Sequence, residues 1–340
     1  MKKKDIQQLK IELSTKKKIV IVTHKNPDGD AIGSSLALFI YLKKQGHNVQ
    51  VIVPNEYPDF LKWMPQNESI LIYEKHKTKA NQIILEAELL FTLDFNAYAR
   101  AGDMQEILEK ATAPFVLIDH HQQPDNYAKY TYSDTAICST AQMVYHFIEF
   151  MDGLDVLDKE IATTIYTGIM TDTGSFRFRS TSSTTHRVVA DLIDHGADNA
   201  FIHESVFDNN SAEKIKLLGV ALRNLKIIPE YRTAYITLSQ HELDANHFKK
   251  GDYEGFVNYA LSVENVILAA IFVESKEDGL IKISFRSKGR FSVNKFARNH
   301  FEGGGHDNAS GGKSNRSLED TISYFISKLH AYKKELTNEK

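Results

Sequence analysis

The chain has 340 residues, 42% of them hydrophobic and 25% charged, with a formal net charge of −3. These values describe a water-soluble globular chain long enough for two cores, and they exclude a protein that coats nucleic acid through bulk positive charge. A single cysteine, Cys138, excludes an intrachain disulfide and a cysteine-rich zinc site.

Lys2, Lys3 and Lys4 resemble the start of a signal peptide, but Asp5 to Leu13 is amphipathic and no apolar stretch of signal length follows. No run approaches the roughly 18 apolar residues of a membrane span, so the cytoplasm is the expected address. Ile6, Leu9, Ile11 and Leu13 mark a short entry helix. Ile19 to Val22 is a β-branched strand ending in Thr23-His24, followed by a turn-rich loop, Lys25 to Asp30. A helix from about Ala31 to Gln45, closed by Gly46, leads to a strand over Val49 to Val53. This βαβ start predicts a parallel sheet with right-handed crossovers.

The pattern recurs where Leu89 to Leu93 leads into Asp94, and where Phe115 to Ile118 leads into Asp119-His120-His121. Helical patterns cover Ser139 to Met151 and Ile161 to Met170, although the β-branched content of the second leaves a strand open. It ends in Thr171-Asp172-Thr173-Gly174. Thr184 to His195 and Ser211 to Leu225 are amphipathic. Strand patterns follow at Tyr235 to Leu238, Val266 to Val273 and Leu280 to Phe285, with Asp278-Gly279 turning the last two. Gly303-Gly304-Gly305-His306 and a closing helix from about Ser317 to Leu336 complete the chain. The expected architecture is α/β: a parallel-sheet domain over 1–205, a helical linker over 206–225, and a smaller mixed α/β domain over 226–340.

The chemistry gathers where apolar runs end. His24, Asp28, Asp30, Asp94, the Asp119-His120-His121 tripeptide and Asp172 would meet at one rim if these strands are neighbours, since ligands bind at the carboxyl ends of parallel strands. Crowded carboxylates raise one another's pKa unless cations neutralise them. Asp28, Asp30, Asp94 and Asp172 carry −4, which two divalent ions balance. Mixed His and Asp donors suit Mn²⁺ or another transition ion better than Mg²⁺ or Ca²⁺. Two such ions about 3.5–4 Å apart generate a hydroxide and polarise a phosphoryl group for in-line attack. Singly, each residue has a plainer role: Asp28 in a turn, Asp94 or Asp172 as a cap, the histidines in a core. The pattern argues for phosphoester hydrolysis because all of them recur at element ends.

The triple glycine lets backbone approach an anion and offers N–H donors, with Arg286, Ser287 and His306 adding charge and donors suited to phosphate. From Lys276 to Arg316 there are nine Lys or Arg against four Asp or Glu, a local +5. Arg177 and Arg179, beside Asp172, offer charge that could touch substrate, but they read rather as solvated strand residues. His186, His195 and His203 fall on helical stretches without partners and receive no role.

The segments His24-Lys25-Asn26-Pro27-Asp28-Gly29-Asp30, Asp94, Asp119-His120-His121 and Thr171-Asp172-Thr173-Gly174 resemble the four ordered motifs of the DHH phosphoesterase superfamily. Arg286-Ser287 and Gly303 to Gly311 resemble its DHHA1 substrate-binding domain, and the two-domain length is similar to the stand-alone bacterial nanoRNase and pAp phosphatase (NrnA-like) group. The resemblance implies one metal on His24, Asp28 and Asp94, and a second on Asp30, Asp94, His120 and Asp172, with Asp94 bridging. It further implies Asp119 as an orienting group, His121 beside the scissile phosphate, and metal-bound hydroxide as nucleophile. Arg286, Ser287, Gly303, Gly304, Gly305, His306, Ala309 and Gly311 would hold substrate across a cleft that closes.

Two Mn²⁺ are the expected cofactors, with Mg²⁺ or Co²⁺ as substitutes. The expected partners are short oligonucleotides or small phosphorylated nucleotides such as pAp and pApA. No membrane or stable protein partner is expected, and homodimerisation is left open. The rivals are a c-di-AMP or pApA phosphodiesterase of the same superfamily and a nucleotide-binding module without turnover.

Overall fold

A computed structural model describes residues 1–249 and 251–337. The chain divides into two compact units, Met1–Asn209 and Asn210 onward.

The first unit is built on six parallel strands: β1 (Lys18–Val22), β2 (Asn48–Val53), β3 (Leu71–Ile72), β4 (Leu89–Leu93), β5 (Phe115–Asp119) and β6 (Tyr130–Ser133), in the order β3-β2-β1-β4-β5-β6. The apolar runs that predicted strands are continuous because both faces are covered. Ile19 and Ile21 join one core with Phe91, Val116 and Ile118, while Val20 and Val22 join the other with Leu90 and Phe115. That alternation is the two-residue strand period.

Helices Gly29–Lys44, Thr140–Phe150 and Lys159–Asp172 contribute to the first of these cores, and Tyr73–Leu85 and Gln105–Lys110 to the second. The first two of the three pack tightly against the last. At Gly33 a Cβ atom would lie 2.6 Å from the Thr164 carbonyl oxygen, so the seam requires glycine. From β1 the chain steps outward to β2 and β3, then returns to β4 on the other side of β1. The reversal opens a crevice beyond the carboxyl ends of β1 and β4, where open α/β sheets bind ligands.

The helix expected from Ala31 begins two residues earlier, at Gly29. The Asp28 side chain accepts the Asp30 and Ala31 N–H groups and caps it, so what reads as a turn is a helix start.

The second unit holds a mixed sheet of β7 (Lys226–Ile228), β8 (Thr233–Leu238), β9 (Leu268–Ser275), β10 (Leu280–Ser287), β11 (Gly304–Gly305) and β12 (Ala309–Ser314), ordered β11-β12-β10-β9-β8-β7. Only β8 and β9 run parallel. Phe272, Phe285, Phe296, Phe301 and Phe325 fill one face. Helix Ala212–Arg223, inside the span read as a linker, buries Leu217 and Ala221 in the core of the opposite face. The single closing helix is instead two, Leu318–Leu329 and Lys333–Thr337, joined by a 3₁₀ turn at His330–Tyr332. Among the described residues, no helix is long and apolar enough to cross a membrane.

Candidate metal centre

The rim residues meet in the crevice of the first unit. His24 stands two positions beyond β1, Asp94 directly follows β4, and Asp119 ends β5 with His120 and His121 just past it. Asp28 and Asp30 come from the start of one helix, and Asp172 is the last residue of another. Ligand atoms of three groups lie within 4.8 Å of one another: His24, Asp28 and Asp94; Asp30, His120 and Asp172; and Asp94, Asp119 and His121.

Asp94 is common to both halves. Its Oδ2 is 3.4 Å from His24 Nε2, while its Oδ1 is 3.4 Å from His120 Nε2 and 3.6 Å from His121 Nδ1. Its φ of +64° turns the chain sharply at the strand end, and Asp is one of the few residues that tolerates this region.

The imidazoles are oriented from behind. Nδ1 of His24 donates to the Lys25 carbonyl at 2.9 Å and Nδ1 of His120 to the Ile137 carbonyl at 3.3 Å, so each directs Nε2 toward the carboxylates. Nδ1 of His121 donates to Asp119 Oδ1 at 2.7 Å, and the buried Asp119 Oδ2 has no hydrogen-bond partner. Asp30 is clamped at the start of helix Thr140–Phe150, accepting the Thr140 and Ala141 N–H groups at 2.6 and 2.8 Å.

Burial opposes charge at Asp30, Asp94, His24 and His120, and the neighbours decide the outcome. Burial together with the Asp94 and Asp172 charges holds the Asp30 carboxyl well above the usual carboxylate range. Asp94 goes the other way: burial alone would raise it, but the bonds to His120 and His24 outweigh burial and hold it well below that range. His120 and His24 are both raised although burial would lower them, His120 by Asp172, Asp94 and Asp30, and His24 by Asp94 and Asp28.

This donor set of carboxylate oxygens and imidazole nitrogens fits divalent cations. Protons favoured on His24, His120 and Asp30 by these surroundings compete with a cation for the same donors, so a metal ion must displace them. Metal uptake is therefore expected to release protons below the raised His120 pKa. Apparent affinity should fall as pH drops and level off above that point, as metal titrations by calorimetry in buffers of different ionisation enthalpy would record.

Two contributors carry no signal of their own in the sequence. Thr140 donates its hydroxyl to Asp94 Oδ1 at 2.9 Å, across 46 positions. Thr140→Val keeps the branched shape and the backbone clamp on Asp30, and is expected to weaken metal affinity roughly 10- to 100-fold, as loss of an outer partner does. Asn55, just past β2, accepts the Asn26 N–H at 2.7 Å and donates to Asn26 Oδ1 at 3.0 Å. This fixes the loop between His24 and Asp28, whose Asn26 has φ +57°. Its one clue is its place at the same rim.

The expected substrate loop lies in the second unit, where two of its glycines take part in strand pairing. Gly304 and Gly305 form β11, paired to Gly311 and Ser310, and a Cβ at Gly303 would lie 2.0 Å from the Gly311 carbonyl oxygen. Backbone approach to a neighbouring strand accounts for Gly303 and Gly305, whereas a Cβ at Gly304 would meet only ordinary contacts from the Arg298 and Asn294 side chains. His306 and Ala309 close the hairpin through reciprocal backbone bonds of 2.8 and 3.3 Å. Arg286 is registered opposite Ala309, and the Ser287 hydroxyl donates to the Phe291 carbonyl at 2.6 Å and accepts from Asn308 at 2.9 Å, holding the hairpin in place.

The segment after Asp172, expected as strand, is instead a tight turn. Gly174, Ser175 and Phe176 have φ of +57°, +59° and +65°. The Ser175 hydroxyl meets His203 Nε2 at 3.1 Å, which gives His203 a structural role that the sequence does not display.

Comparison with known proteins places these features in a wider set. The model of the DHH family N-terminal domain matches residues 18–169, and that of the DHHA1 domain matches 235–335. The chain is 30% identical over 295 residues to the bifunctional oligoribonuclease and PAP phosphatase NrnA of Thermus thermophilus, covering 86% of this chain and 83% of that one. It is 27% identical over 306 residues to the probable bifunctional oligoribonuclease and PAP phosphatase NrnA of Streptococcus mutans, covering 90% and 92%. Its structure is similar to the crystal structure of an exopolyphosphatase-related protein from Bacteroides fragilis, with 39% identity, a TM-score of 0.94 and coverage of 99% and 98%.

Proposed function

This chain belongs to the DHH family, with a DHHA1 domain in its second half, and from that membership we propose that it is a metal-dependent phosphoesterase that cuts short oligoribonucleotides to mononucleotides and removes the 3′-phosphate of pAp. The observation that carries the reading is Asp94, whose two carboxylate oxygens are divided between His24 on one side and His120 on the other. A group that only binds nucleotide needs no such shared carboxylate.

Two divalent ions, for which Mn²⁺ suits the mixed His and Asp set, would be held by His24, Asp28 and Asp94 and by Asp30, Asp94, His120 and Asp172, and would supply Lewis acidity and an activated water. The protein's own groups do the rest. Asp30 and Asp94 are enclosed, whereas the Asp28 side chain is 55% exposed and that of Asp172 23%, so the mouth opens between these last two. His121, steadied by Asp119, stands beside Asp94 and can stabilise charge on the phosphate or give a proton to the leaving oxygen. The local +5 run over 276–316 supports a nucleotide with few phosphates rather than a long strand.

The test is turnover by the purified chain with Mn²⁺ on pAp, pApA, c-di-AMP, a five-residue RNA and a long RNA. Cleavage of pAp and the short RNAs, lost on chelation, is expected. Cleavage of c-di-AMP alone would move the substrate class to the cyclic-dinucleotide rival. No turnover with Mn²⁺, Mg²⁺ or Co²⁺ would leave only a binding module.

A further inference from the structure

Directly behind Asp172 the backbone does something costly. Gly174, Ser175 and Phe176 occupy the left-handed region consecutively, and the last two have side chains that disfavour it. Several interactions hold the turn in this shape. The Ser175 and Phe176 N–H groups donate to the Met170 carbonyl at 2.8 Å and the Thr173 hydroxyl at 3.0 Å. The Phe176 ring packs against Tyr166, His186 and His203, and Phe178 roofs Gly174 so closely that a Cβ there would lie 2.5 Å from its ring. Strain kept in place this thoroughly has to deliver something.

What the turn delivers is Arg177. Its Nε donates to the Gly174 carbonyl at 2.7 Å, which fixes the plane of the guanidinium. The residue is exposed, and its two Nη groups have no partner among the described residues. A guanidinium tied through Nε and open through both Nη groups presents the two-pronged donor edge that phosphate accepts. Chain geometry keeps the Gly174 Cα within roughly 7 Å of that of Asp172. Asp172 lines the mouth of the site rather than its floor, so a cation anchored on the turn that follows it is close enough to reach a second phosphate of a bound substrate.

The geometry points to Arg177 as a specificity-determining residue that grips a second, non-scissile phosphate of the substrate. It rests on the phosphoesterase reading and adds to it the residue that holds the phosphate not hydrolysed.

The test compares adenosine 3′,5′-bisphosphate with adenosine 3′-phosphate, which share the scissile bond and differ by one phosphate. In Arg177→Gln the ratio of their kcat/KM values is expected to fall roughly 10- to 100-fold, as loss of a charge-assisted pair does, chiefly through KM for the bisphosphate. Arg177→Lys should recover part of the preference. A ratio that stays at the wild-type value, whether both substrates suffer equally or neither does, overturns the assignment. So does a parallel loss of Mn²⁺ affinity, which would mean that the turn itself has given way. Calorimetric binding of the bisphosphate to Mn²⁺-loaded protein separates the two ideas. Binding that depends on Arg177 without turnover would sink the enzymatic reading and leave standing only the Arg177 phosphate contact, and no binding by the wild type would sink both.

Discussion

Asp94→Asn is expected to lower kcat by more than the roughly 100-fold that loss of an outer-shell partner costs, with the fold retained. Among the described residues, Asp94 is the one carboxylate that faces His24 and His120 at once, and both imidazoles lie 3.4 Å from it. Asn keeps an oxygen for the Thr140 hydroxyl and, like Asp, accepts the left-handed φ that this position demands. It removes the charge and replaces one metal-facing oxygen with a donor. His24 and His120 would each lose one of the carboxylates that raise their pKa, with Asp28 remaining for His24 and Asp172 and Asp30 for His120, so any charge left on the imidazoles stays paired and does not unfold the chain. Far-UV circular dichroism should therefore match wild type while metal stoichiometry and turnover collapse. Asp152→Asn, which removes only a surface partner of Lys10, is the control and should be silent. Turnover of the Asp94 variant within tenfold of wild type would end the dinuclear reading.

The contrast between Asp94 and Thr140 shows what a sequence can disclose here. Asp94 is visible because a run such as Leu89 to Leu93 must be buried, and a carboxylate directly after it has to come out at a strand end. The same logic reaches His24 and Asp119 to His121. Asp172 is visible as the acid that closes a long apolar helix. Thr140 is hidden because a threonine starting a helix is ordinary, and its partner lies 46 positions away. Asn55 is hidden because an amide after a strand usually marks a turn.

Glycines mislead in a related way. Gly303 and Gly305 carry the expected sign of backbone crowding, and β12 is a crowding partner that the local sequence does not name. Composition records that space is short without saying what fills it. The left-handed turn at Gly174 to Phe176 defeats local reading altogether, since Ser and Phe are poor residues for it and only the surrounding contacts enforce it.

Gly33 is where fold and site depend on the same few ångströms, and Gly33→Ala should expose that dependence. In an exposed helix the change would stabilise, since alanine outranks glycine by about 1 kcal/mol. Here the added Cβ would lie 2.6 Å from the Thr164 carbonyl oxygen and 2.9 Å from the Gly168 amide nitrogen. Both are backbone atoms of a packed helix, so no side-chain rotation relieves the contact and the two helices must separate. Overpacking of this kind costs typically about 1–3 kcal/mol, and more against rigid backbone.

For a unit of this size each kcal/mol moves Tm by roughly 2–4 °C. The variant should therefore melt several degrees below wild type. Asp30 lies one helical turn before Gly33 and Asp172 one turn beyond Gly168, so parting the helices also spreads these carboxylates, and metal affinity should fall with Tm. Gly219→Ala supplies the opposite sign: that glycine is exposed in a helix with nothing within 4 Å of the new atom, and its replacement should raise Tm. Were Gly33→Ala to stabilise the protein as Gly219→Ala does, the close helix seam could not be what brings Asp30 and Asp172 together.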